Sequence, residues 1–159
     1  MTLNPTSTVV VIGAKGQMGA RFASAFRHAG NPVTEFDHPL DHGALPLAVQ
    51  TASLVLLCVP ITAMDTVLDA VTPHLTPRTI LADICSVKVR PLNTMLARTS
   101  TPVVGTHPLF GPTTLDAELR IAVTPGRSTE ATDNLSRYFR TLGFTPFTTT
   151  ADEHDRAMA

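Results

Sequence analysis

The sequence predicts an α/β fold: a doubly wound, mostly parallel sheet with helices on both faces. Three observations predict it: short runs of consecutive apolar residues, stretches with apolar residues every three or four positions, and the alternation of the two along the chain. A continuous apolar run marks a strand buried on both sides, which is what a parallel sheet covered by helices requires.

The elements follow in order. Val9-Val10-Val11-Ile12 is the first strand. After a glycine-rich turn, Met18, Phe22, Ala25, Phe26 and Ala29 make one apolar helix face, which Gly30 and Pro32 end. Residues 32–37 form a second strand and 54–59 a third, stopped by Pro60. Thr62 with Asp65 reads as an N-cap with an acid at N3, and Val67, Leu68 and Val71 as that helix's inner face. Residues 79–82 are the fourth strand, followed by a turn over 83–86. A helix over 89–97 comes next, with Pro91 in its first turn. Residues 102–105 are the fifth strand, 119–123 a sixth and 145–149 a last one. Between the final two, Leu135, Tyr138, Phe139 and Leu142 mark an amphipathic helix closed by Gly143. Residues 152–159 open a further helix, acids first, where the helix dipole favours them. The chain stops before that helix finishes, so a truncation is expected.

Bulk properties narrow the function. The 159 residues fit one domain, with 43% hydrophobic and 16% charged residues. A net charge of -1 argues against nucleic-acid or anionic-membrane partners, which select basic surfaces. No apolar run approaches the roughly 20 residues that span a bilayer. Residues 1–7 lack the basic start of a secretory signal, and a cytoplasmic protein is expected. Cys58 and Cys85, within or beside apolar runs, read as buried reduced thiols. No Cys/His cluster has metal-ligand spacing, so no metal is expected, and no Gly-x-Ser-x-Gly elbow suggests a hydrolase.

Two segments carry chemistry. Gly13-Ala14-Lys15-Gly16-Gln17-Met18-Gly19 joins a buried strand to a helix, a turn in which backbone N–H groups and the helix's positive end meet a pyrophosphate. Its pattern is Gly-x-x-Gly-x-x-Gly, with Ala14 where the usual dinucleotide motif has glycine. Asp37, ending the second strand, lies where an acid accepts from adenosine ribose hydroxyls. That favours NAD over its 2′-phosphorylated form, which would want an arginine. The second segment is Gly105-Thr106-His107-Pro108-Leu109-Phe110-Gly111-Pro112. It places His107 in a stiff loop just past the fifth strand, and Ser86 falls just past the fourth. Both belong to the edge that binds ligands in such sheets. A neutral imidazole suits removal of a hydroxyl proton near pH 7 while a hydride leaves the same carbon for a nicotinamide. Ser86 could hold the histidine tautomer or bond the reacting hydroxyl. His28, His38, His42, His74 and His154 read as structural or solvated.

These residues resemble a known family. Residues 12–19, Cys58-Val59-Pro60-Ile61, Asp83-Ile84-Cys85-Ser86-Val87-Lys88, the segment 105–112 and Glu153-His154-Asp155 occur in this order in prephenate dehydrogenases. The likeness is closest to the enterobacterial branch, where the domain follows a chorismate mutase. The resemblance implies a Rossmann-type NAD-binding domain over residues 1–150. Residues 151–159 then begin a helix leading to an absent helical domain that builds a homodimer and closes the site. It implies that His107 is the catalytic base toward the C4 hydroxyl of prephenate and that Ser86 orients that pair. Hydride passes to NAD, and the ring carboxylate leaves as carbon dioxide, giving 4-hydroxyphenylpyruvate, a step of tyrosine biosynthesis. Gly13, Ala14, Gly16, Gln17, Met18 and Gly19 match the pyrophosphate loop, Asp37 the ribose-binding position, and Val59 and Pro60 a segment lining the cofactor. The family draws its substrate-clamping basic residues from the helical domain, so this chain is expected to bind NAD and turn over poorly. Arogenate or 4-amino-4-deoxyprephenate as substrate, or a non-catalytic NAD-binding module, are the alternatives.

Overall fold

A computed structural model describes residues 2–115 and 118–159. Its strands are β1 (Val9–Ile12), β2 (Val33–Phe36), β3 (Leu54–Leu57), β4 (Ile80–Asp83), β5 (Val103–Pro108), β6 (Arg120–Arg127) and β7 (Thr145–Thr148). They form one sheet in the order β2-β1-β3-β4-β5-β6-β7. Neighbours run parallel except for the antiparallel pair β5 and β6. The helices are α1 (Gln17–His28), α2 (Leu45–Thr51), α3 (Met64–Val71), α4 (Val89–Arg98), α5 (Thr129–Thr141) and α6 (Ala151–Met158). Because β1 has β2 on one side and β3 on the other, the chain reverses its winding direction there. The crevice at the carboxyl end of β1 is the switch point where such sheets bind ligands.

Successive strand residues point to opposite faces, and the core divides accordingly. Val9, Val11, Leu54 and Leu56 pack with Phe22 and Phe26 of α1 and Leu135 and Phe139 of α5. Val10, Ile12, Val55 and Leu57 pack with Val49 of α2, Leu68 of α3 and Met95 of α4. Each such side chain, wholly removed from water, contributes about 1.5–3 kcal/mol. This two-sided burial is why the central strands read as unbroken apolar runs.

The structure corrects three local readings. Thr62 does not cap α3: a 3₁₀ turn over Ile61–Ala63 precedes the helix, the N-cap is Ala63, and no side chain caps it. Asp65 instead pairs with Arg98 of α4, with N···O at 2.9 Å. His107 lies within β5 and not in a loop beyond it, because β6 pairs along the strand and matches His107 to Ala122 and Pro108 to Ile121. Asp83, assigned to the turn after the fourth strand, is the last residue of β4 and is fully buried. The structure also adds α2 in a stretch that the sequence left unassigned. Its entry is an Asp41 carboxylate accepting from the Gly43 and Ala44 amides at 2.9 and 3.1 Å, with Pro46 in its first turn.

Candidate active site

The glycine loop is built by close packing. Gly13, at φ +88°, donates its N–H to Phe36 O at 2.8 Å. A Cβ there would lie 2.3 Å from the Cys58 carbonyl oxygen. A Cβ on Gly19 would lie 2.1 Å from the Gly13 oxygen. Contacts this short leave no room for any side chain, so the loop and α1 close on each other only through glycine. Gly16, the N-cap of α1, brings no side chain to its N–H groups. The first-turn amides of Gln17, Met18 and Gly19 therefore remain for an anion. Ala14 is buried, Gln17 is exposed, and the Met18 side chain turns back onto the core.

Beside the loop lies a cleft of about 400 Å³ whose walls include Ile12, Gly13, Gly16, Asp37, Val59 and Pro60. Asp37 is fixed in it: its Oδ2 accepts from the Lys15 N–H at 2.7 Å and its Oδ1 from the His38 N–H at 2.8 Å. The Lys15 amide is the main reason its carboxyl sits below the usual carboxylate range. The lining contains no arginine or lysine. Cys58, Val59 and Pro60 also line a smaller adjoining cleft of about 240 Å³ shared with Cys85 and Ser86. Burial pushes both thiols up, Cys85 to about 12, so neither is a thiolate near neutrality.

His107 is half-buried on β5. Its Nδ1 is 2.9 Å from His154 Nε2 of α6, with the two rings edge to face. His154 is buried, and its Nδ1 lies 2.8 Å from Asp155 Oδ1. The Asp155 carboxylate also accepts the Lys88 and Val89 amides at 2.6 and 2.9 Å, so a side chain of α6 caps the N-terminus of α4. Nearby, Lys88 and Asp83 form a wholly buried ion pair at 2.6 Å. The Lys88 ammonium also donates to Thr106 O at 2.5 Å, and Asp83 Oδ2 accepts from the Cys85 amide at 2.9 Å. Burial above all, then His154 and the Lys88 charge, lower His107 to about 4; Asp155 opposes them. A value this low leaves the ring neutral at physiological pH.

Ser86 is exposed between β4 and α4 and makes no hydrogen bond to His107 among the described residues. The loop after His107 is tied to α1. Arg21 donates to Gly111 O and Thr114 O, both at 2.7 Å, and its guanidinium lies over the Phe110 ring. The helix that carries the glycine loop thus also holds the segment leaving the histidine.

A family model described as prephenate dehydrogenase, nucleotide-binding domain, matches residues 41–139. The chain belongs to that family. The T-protein of Enterobacter agglomerans is 36% identical over 152 residues, covering 95% of this chain and 40% of that protein. The T-protein of Haemophilus influenzae is 31% identical over 151 residues, covering 94% and 40%. The chain therefore spans about two fifths of the curated relatives it matches. Among solved structures, Synechocystis arogenate dehydrogenase superposes with a TM-score of 0.84 at 24% identity, over 95% of this chain and 62% of that one. Aquifex aeolicus prephenate dehydrogenase in complex with hydroxyphenyl propionate and NAD+ gives 0.74 at 19% identity, over 99% and 64%. These likenesses establish the Rossmann-type fold.

Within this member of the family, the structure gathers Gly13, Gly16, Asp37, Val59 and Pro60 around one cleft. It puts Ser86 in the adjoining one. Sequence reasoning missed His154, Asp155 and Lys88 as parts of the site. Their signal was present in the Glu153-His154-Asp155 and Asp83-to-Lys88 segments, but a histidine far along the chain gives no sign of its neighbour in space.

Proposed function

We propose that this chain is the NAD-binding, base-bearing part of a dehydrogenase that converts prephenate to 4-hydroxyphenylpyruvate. The observation that carries the reading is a neutral, half-buried His107 on the same sheet edge as an uncapped glycine loop, in a chain of this family. Gly13, Ala14, Gly16 and the first-turn amides of α1 would hold the pyrophosphate of NAD, and Asp37 the adenosine ribose. The arginine- and lysine-free lining supports NAD over a 2′-phosphorylated cofactor. When bound, NAD supplies the hydride acceptor.

His107 Nε2 takes the proton of the C4 hydroxyl as the hydride leaves C4. The bond from the ring to its carboxylate then breaks, carbon dioxide departs, and the electron pair aromatises the ring. His107 returns the proton to the phenolate oxygen, so the base ends as it began. Ser86, exposed beside the cleft, bonds the reacting hydroxyl. In a longer protein, the residues beyond this chain supply the cationic clamp for the two substrate carboxylates and the dimer interface.

Calorimetric titration with NAD and NADP, followed by prephenate and a watch for NADH absorbance, tests the reading. NAD binds, NADP binds more weakly, and turnover by the isolated chain is low. In a protein that includes the clamp, His107→Ala lowers kcat by roughly 10²–10⁴-fold, the usual contribution of a general base. Failure to bind either nucleotide sinks the proposal. Arogenate run in parallel decides between substrates.

A further inference from the structure

A histidine serves as a base only through a nitrogen that carries a lone pair, and the bonds around His107 decide which nitrogen that is. The chain of hydrogen bonds starts at Asp155. Burial opposes ionisation of its carboxyl, but the Val89 amide, the His154 ring and the Lys88 amide outweigh it and hold it below the usual range. An ionised carboxylate can only accept. His154 Nδ1, 2.8 Å from Asp155 Oδ1, must therefore be the protonated nitrogen of that ring. A neutral imidazole protonated on Nδ1 keeps its lone pair on Nε2. His154 Nε2 then accepts at 2.9 Å, and the proton in that bond belongs to His107 Nδ1. The lone pair of His107 is left on Nε2, which has no hydrogen-bond partner among the described residues and is not sealed from solvent. The reverse order would need a doubly protonated His154, a second cation buried in a network that already holds the Lys88 ammonium.

We propose that His154, anchored by Asp155, is a positioning residue that fixes His107 as its Nδ1–H tautomer and so reserves Nε2 for the substrate hydroxyl. The proposal rests on the reading of His107 as the base. When Nε2 takes a proton, the new imidazolium already directs its Nδ1–H at His154, with the Asp155 carboxylate one ring further on. Positive charge develops against a preset acceptor, the logic by which a carboxylate supports a catalytic imidazole in hydrolytic triads. Here a second imidazole stands between them.

Two-bond proton–nitrogen NMR correlation on the 159-residue chain labelled with ¹⁵N-histidine reads the tautomer without any turnover. At neutral pH, His107 Nδ1 resonates as a protonated nitrogen and Nε2 as one bearing a lone pair, and His154 shows the same pattern. His154→Gln, whose amide oxygen can accept from His107 Nδ1–H, retains this signature. His154→Leu loses it. A protonated His107 Nε2 in the unmutated protein overturns the proposal, as does an unchanged His107 signature in a folded His154→Leu variant. The unmutated spectrum decides the matter even if the leucine variant does not fold. NAD titration of the same sample keeps the two questions apart, because absent NAD binding condemns the functional reading and leaves the tautomer result standing.

Discussion

His107 has a proton affinity set by its surroundings, and the sign of that effect can be followed in stability. Burial above all, then His154 of α6 and the Lys88 ammonium before α4, bring it from an ordinary 6.5 to about 4, against the opposing pull of Asp155 on α6. The unfolded chain binds a proton on this ring as pH falls through about 6.5, and the folded chain refuses it until about 4. The contribution to stability is therefore fully present above 6.5 and lost as pH falls toward 4. Urea midpoints measured from pH 7 to pH 4.5 should drop more steeply for the unmutated chain than for His107→Gln, which cannot take up the proton. Parallel slopes would show that His107 titrates normally. The same shift predicts that, in a protein with the full catalytic machinery, the acid limb of kcat attributable to the proposed base lies well below pH 6.

At the scale of elements, the most informative joint is the one between α6 and α4. Asp155 reaches across to cap a helix that supplies no cap of its own. Asp155→Ala should lower stability by about 0.5–2 kcal/mol, as loss of a cap does, whereas Asp155→Asn keeps an acceptor oxygen and loses less. Equal losses in chemical denaturation would mean that the carboxylate's charge, and not its hydrogen bonding, holds the joint. This contact also shows where sequence reading stops. The strands β1, β3 and β4 were legible because both of their faces are buried and their residues are apolar without a break, up to the buried Asp83 that ends β4. The glycine loop was legible because only glycine satisfies its contacts. β5 was read short, ending at Gly105, because His107 and Pro108 beyond it lack strand propensity and the segment to Pro108 is kept extended by pairing with β6, a tertiary influence. α2 was missed because it is two turns long, held by an Asp41 turn and the burial of Leu45 and Val49. Thr62 looked like a cap by spacing alone, and the turn that starts at Pro60 displaced it.

For the whole molecule, the buried Lys88–Asp83 pair links β4, the start of α4 and, through Thr106 O, β5. Breaking one side of such a pair strands a charge in the interior. Lys88→Met should lose about 3–5 kcal/mol. Replacing both residues, as in Lys88→Met with Asp83→Leu, should recover much of it, because an apolar pair leaves no charge unpartnered. Thermal melts of the two variants make the comparison. A single variant as stable as the double would show that Asp83 sheds its charge by taking up a proton. No helix among the described residues is long and apolar enough to cross a membrane.

The eight residues of α6 bear on where such a domain can be cut. A boundary placed at residue 150 falls after the last strand and looks clean in topology, yet it removes the cap of α4 and the ring that faces His107 in one stroke. A fragment ending there would keep every strand and all its glycines while losing the surroundings that set the histidine's proton affinity. Nucleotide binding and proton chemistry would then part company, and a fragment that still takes up NAD would say nothing about whether its histidine is fit for catalysis.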